Sequence, residues 1–389
     1  MKKVIALAAN YGYLDKAETT LKSIFKHTPN AEVYLANMDI PQEWFVAINE
    51  KLSTIDCKLY DLKIDINELE IGKVNHDHIN DYSYVRIYLP RLIKADRILY
   101  LDSDIIVNGD LNPFLELEIA EPYALAMTLD IKYMEAYSSG VILIDCARWQ
   151  QYQLEETCRQ IIRQEIQITN GDQTVINLAC RDYVQELPTY YNNQVGYDMI
   201  SSYGRMKPPF EELLDDQALI THFLTPDKPW NLLSFGRQRE LWWTYRNLEW
   251  SEVVSKSEVE VKRSTRPKIL IFTRTDQLGP IEQLITAIPE AEFIIAAFTE
   301  VSNKIKRLLQ YPNVWVQYAT TMERLLATAQ TAQLFLDLSD PIDEGVQSQL
   351  QALGKPFLAI SRPNYVNERV EIIDTPTLMI EKIRSELFE

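Results

Sequence analysis

The chain has 389 residues, of which 46% are hydrophobic, and it carries a formal net charge of −17 at pH 7. This length predicts two domains, and the composition predicts folded domains with large cores. The acidic charge argues against nucleic acid and against an anionic membrane surface as partners, because both bind basic patches.

The cysteines and the amino terminus predict a reduced, cytoplasmic protein. Cys57, Cys146, Cys158 and Cys180 show neither close pairing nor the spacing of a metal site. The first residues imitate a signal peptide, but their apolar core is short and polar Asn10 follows it at once, so we expect no leader. We also expect no transmembrane segment, because no apolar run is long enough.

The first segments predict a strand over Val4–Ala9, a helix over Asp15–Lys26 and a strand over Glu32–Ala36. This order is typical of an α/β sheet, in which ligands bind beyond the carboxyl ends of the strands. There Asn10 can hydrogen-bond a ligand, and Tyr13 can stack on a flat ring. Taken alone, the segment is more typical of an ordinary strand-to-helix loop.

The apolar run Arg97–Val107 predicts a buried strand that meets two carboxylates, Asp102 and Asp104. Residues two apart in an extended segment point the same way, so both carboxylates can face one point. A hard divalent cation resolves the repulsion between them and has open positions for a diphosphate. The alternative is a strand followed by an Asp-rich turn, and the motif alone favours that alternative.

Other polar residues allow two interpretations each. Arg86, in a helix predicted over Asp81–Ile93, can hold the two aspartates, neutralise a phosphate or lie on the surface. Asp172 follows Asn-Gly and can cap a helix or serve a substrate. His222 follows an apolar run and by itself is more typical of a structural histidine than of a metal ligand. Lys228 lies in a proline-flanked loop and offers a cation.

Two further core strands are predicted over Tyr123–Thr128 and Gly140–Asp145, and a long helix with one polar face is expected from Ala147. These segments continue the alternation of strands and helices that is typical of an α/β fold.

The composition changes over Ser251–Pro267, where Ser, Lys, Glu and Arg dominate, and this segment predicts an interdomain linker. We therefore expect domains over residues 1–262 and 268–389. The second domain lacks a glycine-rich phosphate loop, so nothing marks it as a nucleotide site. Its predicted strands are Ile269–Phe272, Phe293–Ala296, Val314–Val316, Leu334–Leu336 and Phe357–Ile360.

Taken together, these motifs resemble those of the family 8 retaining glycosyltransferases, which use nucleotide sugars on a GT-A fold. The similarity covers about the first two thirds of the chain. It rests on the order of Ala8–Tyr13, Tyr84–Arg86, Leu99–Asp104, Asp130, Gly140 with its strand, Asp172-Gln173 and His222–Trp230. The resemblance implies an α/β protein with a GT-A nucleotide-diphospho-sugar transferase domain and a second, smaller Rossmann-like α/β domain. It also favours the metal interpretation of the Asp-X-Asp motif.

The resemblance implies two groups of site residues. The first matches positions that hold a UDP-sugar and its Mn²⁺ or Mg²⁺ ion: Ala8, Asn10, Tyr13, Arg86, Asp102, Ser103, Asp104, His222 and Lys228. Within it, the implied metal ligands are Asp102, Asp104 and His222. The second group matches catalytic positions around the transferred sugar and the diphosphate: Asp130, Asp172, Gln173 and Lys228.

The chain departs from the family pattern at three positions. Asn10 stands where an aspartate is usual at the uracil, Ser138 where an asparagine is common near the sugar, and Thr225 where a glycine is frequent near the diphosphate. These departures leave the donor sugar open.

The segments 332–338 and 353–359 resemble the add-on domain of glycosyltransferases that decorate serine-rich-repeat adhesins in Gram-positive bacteria. The resemblance implies transfer of a hexose, glucose or galactose, from a UDP-sugar to a hydroxyl of a glycan or glycoprotein. A serine-rich-repeat adhesin is one such acceptor. The resemblance implies that the add-on domain binds the acceptor or takes part in assembly of the enzyme. An oligomeric enzyme is compatible with either role. Two alternatives are a nucleotidyltransferase and a non-catalytic carbohydrate-binding protein.

Retention of configuration leaves two routes open. The acceptor hydroxyl can attack the face that UDP leaves, which we favour, or a carboxylate can form a covalent intermediate. For the second route Asp172 and Asp130 are better nucleophiles than Gln173, because an amide is neutral and weakly basic.

Overall fold

The structure is a computed structural model, and it describes residues 2–72, 81–131, 135–164, 168–196, 217–233, 238–261, 264–298, 301–317, 322–338, 344–363, 365–367 and 369–389. The chain divides into two compact units. The first comprises residues 1–197, 209–230 and 236–262, and the second comprises residues 198–208, 231–235 and 263–389.

A seven-stranded sheet forms the centre of the first unit. Its strands are β1 (Lys3–Ala8), β2 (Glu32–Asn37), β3 (Lys58–Lys63), β4 (Arg97–Leu101), β6 (Leu125–Thr128), β7 (Val141–Asp145) and β8 (Val184–Leu187). They lie in the order β3-β2-β1-β4-β7-β6-β8. β1 and β4 are parallel, with Ala6 opposite Tyr100, and β7 is antiparallel to β4, with Val141 opposite Leu101. The first loop, the Asp-X-Asp motif and Gly140 therefore meet at one edge of the sheet.

A second, three-stranded sheet lies beside this edge. It contains β5 (Ile105–Val107), β9 (Asn193–Val195) and β10 (Ile220–Phe223), in the order β5-β10-β9. As predicted, β4 ends just before the two aspartates, at Leu101; the sequence analysis did not predict that the chain turns there and enters β5, a strand of the other sheet. The Asp-X-Asp motif is thus the connection between two sheets.

Helices cover both faces of the seven-stranded sheet. They are α1 (Leu14–His27), α2 (Gln42–Leu52), α3 (Val85–Leu92), α4 (Asn112–Leu115), α5 (Cys146–Gln151), α6 (Leu154–Arg163), α7 (Gly171–Cys180) and α9 (Trp250–Val253), whereas α8 (Arg239–Asn247) packs against the three-stranded sheet. Alternate residues of β1 point to opposite faces. Ile5 and Leu7 pack in one cluster with Leu21, whereas Val4 packs in the other with Ile87.

The second unit contains a parallel six-stranded sheet. Its strands are β11 (Lys268–Thr273), β12 (Glu292–Ala297), β13 (Val314–Gln317), β14 (Leu334–Asp337), β15 (Phe357–Ile360) and β16 (Glu371–Ile373), in the order β13-β12-β11-β14-β15-β16. Its helices are α10 (Ile281–Ala287), α11 (Asn303–Arg307), α12 (Met322–Thr331), α13 (Glu344–Gln351) and α14 (Pro376–Phe388). The five predicted strands are confirmed. The short edge strand β16 was missed because it has no buried apolar run.

Two helix predictions were wrong in detail. The long helix expected from Ala147 is interrupted, because Gln153 adopts a left-handed conformation with φ of 53° between α5 and α6. The helix expected over Asp81–Ile93 is α-helical only over Val85–Leu92, and a 3₁₀ turn precedes it.

The predicted linker is shorter than Ser251–Pro267. Its first residues belong to α9, where Val253 is buried, and Val259 and Val261 pack against the cluster around Trp242. Charged residues separate these valines in the sequence, so a prediction based on composition assigned them to a linker. The four cysteines are buried and free. Among the described residues, no helix combines the length and the apolar character needed to cross a membrane.

Candidate active site

The two aspartates and the histidine converge at the junction of the two sheets. Asp102 follows β4, Asp104 precedes β5, and His222 lies on β10 opposite Ile105. His222 Nε2 is 3.2 Å from Asp104 Oδ1 and 3.7 Å from Asp102 Oδ2. One ligand atom from each of the three residues lies within 4.8 Å of the others. The cluster therefore has the composition and the dimensions of a metal site.

Each aspartate divides its two oxygens between a fixed partner and the cluster. Asp102 Oδ1 accepts hydrogen bonds from Arg86 Nη2 and the Tyr100 hydroxyl, both at 2.8 Å. Asp104 Oδ2 accepts one from Lys228 Nζ at 2.6 Å. The remaining oxygens, Asp102 Oδ2 and Asp104 Oδ1, are the ones that face His222. The cationic partners thus orient the carboxylates without using the atoms that face the centre.

Gly140 makes the convergence sterically possible. It stands at the start of β7, where its carbonyl accepts the Asp102 amide N–H at 2.9 Å. A Cβ atom at this position would lie 2.1 Å from His222 Cε1 and 2.7 Å from Asp102 Oδ2. Only glycine leaves room for the imidazole ring and the carboxylate together.

Burial and charge act differently on the two carboxyl groups. Burial, together with the like charge of Asp104, raises the pKa of Asp102 despite the favourable charge of Arg86. Burial also opposes ionisation of Asp104, but Lys228 and His222 together outweigh it and hold the pKa of that carboxyl below its usual range. Asp104 is therefore an anion at neutral pH.

The donor set fits a divalent cation. Asp104 Oδ1 is buried and has no hydrogen-bond donor among the described residues. A buried anionic oxygen without a partner is costly, and a cation between it, Asp102 Oδ2 and His222 Nε2 would supply the missing interaction. Two carboxylate oxygens and one imidazole nitrogen are ordinary ligands of divalent metals and leave further positions for a substrate.

A second polar group adjoins the cluster through Arg86 and Ser139. Arg86 is 5% exposed, which excludes the surface alternative, and its Nε lies 3.1 Å from Asp172 Oδ2. Ser139 Oγ donates to Asp172 at 3.0 Å, and its amide N–H donates to Gln173 Oε1 at 3.2 Å. Gln173 Nε2 in turn donates to Asp130 Oδ2 at 2.8 Å. The structure thus brings together Arg86, Asp130, Asp172 and Gln173, the four residues that the resemblance implies around a transferred sugar.

Asp172 does not cap its helix. α7 begins at Gly171, and its N-cap residue is Asn170, so Asp172 lies in the first helical turn. Its side chain is buried and points to Arg86. The carboxylate therefore contacts Arg86 and Ser139 and does not cap the end of the helix.

The first loop lies beside the cluster. Asn10 Oδ1 accepts the Tyr13 amide N–H at 2.9 Å and closes a 3₁₀ turn, and the Ser103 hydroxyl donates to the Ala8 carbonyl at 3.1 Å. Burial raises the pKa of Tyr13, and the charges of the two aspartates raise it further. The Tyr13 ring meets Trp230 edge to face, with centroids 5.8 Å apart. This loop offers an aromatic surface within electrostatic reach of the aspartates.

The loop after β10 holds Lys228 in a strained turn. Thr225, which stands in place of a frequent family glycine, has φ of 67°, a conformation that β-branched residues rarely adopt. Its hydroxyl donates to the Gly196 carbonyl and accepts the Asp227 amide N–H, both at 3.3 Å. These bonds compensate for the backbone conformation and fix the path from His222 to Lys228.

Three site residues escaped the sequence analysis as functional candidates: Tyr100, Ser139 and Asn192. Tyr100 is two residues before Asp102 in β4, so strand alternation could have identified it. Ser139 and Asn192 act through contacts with residues far away in the chain, for which the sequence carries no local signal.

Family profiles match most of the chain. The profile of Glycosyl transferase family 8 matches residues 4–233, and that of the GftB/GlyA-F C-terminal domain matches residues 269–361. The glycosyltransferase GlyE of Streptococcus pneumoniae serotype 4 is 33% identical over 400 residues, covering 99% of this chain and 98% of GlyE. The glycosyltransferase GlyF of the same organism is 31% identical over 369 residues, covering 92% and 91% of the two chains.

Solved structures show the same fold. The crystal structure of GlyE aligns with a TM-score of 0.58 at 29% identity, covering 99% of this chain and 100% of that one. The galactosyltransferase LgtC, in complex with donor and acceptor sugar analogues, aligns with a TM-score of 0.51 at 18% identity, covering 62% and 94% of the two chains. The fold is therefore GT-A-like, and the chain belongs to glycosyl transferase family 8.

Proposed function

We propose that the protein is a Mn²⁺-dependent retaining glycosyltransferase that moves a hexose, glucose or galactose, from a UDP-sugar to a hydroxyl of a glycan or glycoprotein. The observation that carries the proposal is the convergence of Asp102, Asp104 and His222, with Lys228 beside them and the group of Asp130, Asp172 and Gln173 adjoining. A cation site beside a lysine suits a diphosphate, and the adjoining polar group suits a sugar.

The donor set favours Mn²⁺ over Mg²⁺. Mg²⁺ is held almost entirely by oxygen atoms, whereas His222 contributes a nitrogen, which Mn²⁺ accepts together with carboxylates. When bound, the cation supplies Lewis-acid stabilisation of the negative charge that develops on the departing diphosphate. Asp102 and Asp104 hold the cation, and Arg86 and Tyr100 keep Asp102 in place.

Lys228 supports the leaving group electrostatically. Its Nζ lies 2.6 Å from Asp104 Oδ2, so it stands directly beside the position of the cation and its diphosphate. The fixed turn at Thr225 keeps the ammonium there in advance, which reduces reorganisation during the reaction. Ala8, Asn10 and Tyr13 are proposed to hold the uracil and ribose.

The contacts of the polar group favour attack on the face that UDP leaves. Asp172 Oδ2 is paired with Arg86 and accepts a hydrogen bond from Ser139, so this oxygen is already engaged. Gln173 uses its amide nitrogen on Asp130 and its amide oxygen on Ser139. Both side chains are therefore held for orienting a sugar rather than for forming a bond. A trapped glycosyl-enzyme adduct would contradict this route.

The acceptor is proposed to be a glycan or glycoprotein, a serine-rich-repeat adhesin among them, with the second unit binding the acceptor or serving assembly. Support comes from the GftB/GlyA-F C-terminal profile and from the likeness to GlyE over nearly the full length of both chains. We also propose a cytoplasmic location, where UDP-sugars serve as donors. The four unpaired cysteines are in keeping with that compartment.

The test is product analysis with Mn²⁺ and a panel of UDP-sugars, on the wild type, Asp102→Asn and Asp104→Asn. We expect UDP as product and a retained anomeric configuration in the wild type. Each variant should lose Mn²⁺-dependent transfer by about 100-fold or more, since a charge that stabilises the transition state is lost. Circular dichroism should show both variants folded.

Asp374→Asn provides the control, because Asp374 is exposed in the second unit, and it should keep full activity. Full activity in either site variant would refute the metal role. Release of pyrophosphate would instead indicate a nucleotidyltransferase, and glycan binding without turnover or cation would indicate a carbohydrate-binding protein.

A further inference from the structure

The second ring nitrogen of His222 has its own buried partner. Nδ1 lies 3.1 Å from Oδ1 of Asn192, and the two residues are 1% and 0% exposed. The amide of Asn192 is therefore shielded from water and available to the imidazole ring alone on this side.

A second layer fixes the orientation of the Asn192 amide. Its Nδ2 donates to Thr128 Oγ1 at 3.1 Å and to Ser138 Oγ at 3.2 Å. Thr128 ends β6, and the Ser138 amide N–H donates to the Thr128 carbonyl at 2.9 Å, so both hydroxyls are held by the seven-stranded sheet. With both N–H groups of the amide engaged there, its oxygen is the atom that faces His222.

We propose that Asn192 is a positioning residue that sets the tautomer of His222. By accepting a hydrogen bond from Nδ1–H, it leaves the lone pair on Nε2, the nitrogen that faces Asp102 and Asp104. A neutral imidazole carries one proton, so the proton on Nδ1 keeps Nε2 open for a cation. This inference rests on the metal site of the proposed function.

The space between His222 and Asp104 explains why the tautomer matters for a cation. His222 Nε2 lies 3.2 Å from Asp104 Oδ1, which is buried. A proton on Nε2 would stand in this space, where a cation would bind. Loss of Asn192 removes the acceptor that holds the proton on the far side of the ring.

The first experiment observes the tautomer directly in the metal-free protein. Nitrogen-15 NMR distinguishes a protonated ring nitrogen from an unprotonated one. The chain has four histidines, and His222→Gln identifies the signals of residue 222. We expect Nδ1–H in the wild type and in Asn192→Asp, whose carboxylate also accepts this proton, and Nε2–H in Asn192→Leu. An Nε2–H wild type would overturn the inference.

The second experiment measures Mn²⁺ binding without donor or acceptor, by electron paramagnetic resonance. Asn192→Leu should bind Mn²⁺ about 10- to 100-fold more weakly, the usual effect of losing the partner of a metal-bound histidine. Asn192→Asp should recover most of the affinity, because Thr128 and Ser138 can turn their hydroxyls to donate to a carboxylate. Wild-type affinity in Asn192→Leu would overturn the inference.

Asn313→Leu controls for the removal of a buried asparagine, since Asn313 is 4% exposed in the second unit and donates only to backbone carbonyls. It should bind Mn²⁺ like the wild type. If Asn192→Leu fails to fold, Asn192→Asp and Thr128→Val provide the test. We expect Asn192→Asp to recover most of the Mn²⁺ affinity and Thr128→Val to lose part of it. Wild-type affinity in Thr128→Val would count against the inference. A wild type that binds no Mn²⁺ would refute the proposed function itself.

Discussion

Arg86 shows how a single buried charge can organise this site. Its guanidinium contacts Asp102, Asp172 and both the hydroxyl and the carbonyl of Ser139, and it lies over the Tyr100 ring at 4.4 Å. Burial alone would lower the pKa of Arg86, but the two carboxylates outweigh it and raise the pKa. The arginine is thus a permanent cation that compensates for the buried Asp172 and the half-buried Asp102.

We predict that Arg86→Leu lowers the free energy of unfolding of the first unit by about 3–5 kcal/mol, because it leaves the buried Asp172 and the half-buried Asp102 without their cation. Chemical denaturation followed by tryptophan fluorescence measures this change. Arg91→Leu is the matched control on the same helix, since Arg91 forms an exposed pair with Glu155 that should contribute less than about 1 kcal/mol. Equal effects of the two substitutions would contradict the organising role of Arg86.

At the scale of elements, strands and helices followed from local periodicity, whereas the site depended on contacts that periodicity does not encode. The order of the family motifs placed Asp102, Asp104 and His222 together in advance. The separate strand β5 was hidden, because its apolar residues follow the two aspartates as if they continued the run of β4. Asn192 was hidden as well, since its partner lies 30 residues away and meets it only through β9 and β10.

Helix α1 contains a histidine whose environment predicts sensitivity to acid. His27 Nε2 lies 2.5 Å from the Tyr245 hydroxyl, and burial, followed by the charge of Lys26, lowers the pKa of His27. The unfolded chain takes up this proton near pH 6.5, whereas the native protein does so only at lower pH. The contribution of His27 to stability is therefore complete above about pH 6.5 and is lost as the pH falls.

We predict that His27→Gln makes the free energy of unfolding less dependent on pH below about 6.5. The difference in slope between wild type and variant should approach, and not exceed, about 1.4 kcal/mol per pH unit, the limit for one proton. Urea denaturation at a series of pH values measures both slopes. Parallel curves for the two proteins would show that His27 titrates equally in the native and unfolded states.

At the scale of the whole molecule, each unit has its own core. The first unit packs apolar clusters on both faces of its seven-stranded sheet, and the second does the same around β11 and β14. Within the first unit, the three candidate ligands adjoin different sheets, because Asp102 follows β4, whereas Asp104 precedes β5 and His222 lies on β10 of the three-stranded sheet. A bound cation would tie the two sheets together.

We predict that Mn²⁺ alone, without any UDP-sugar, raises the melting temperature of the protein. Mass action gives about 2.7 kcal/mol of stabilisation at a cation concentration 100 times the dissociation constant. Differential scanning calorimetry with and without a chelator measures the shift, which should vanish in Asp104→Asn and persist in Asp374→Asn. A shift of the same size in Asp104→Asn would place the stabilising cation elsewhere.

Gly140 has a consequence for how relatives of this chain are classified. A homologous protein could keep both aspartates and the histidine and still carry a side chain at this position, where a methyl group would overlap the imidazole ring. Such a protein would pass any search for the Asp-X-Asp signature and yet fail to assemble the three ligands. We therefore expect the residue at this position, and not the motif alone, to tell which relatives can assemble the three ligands.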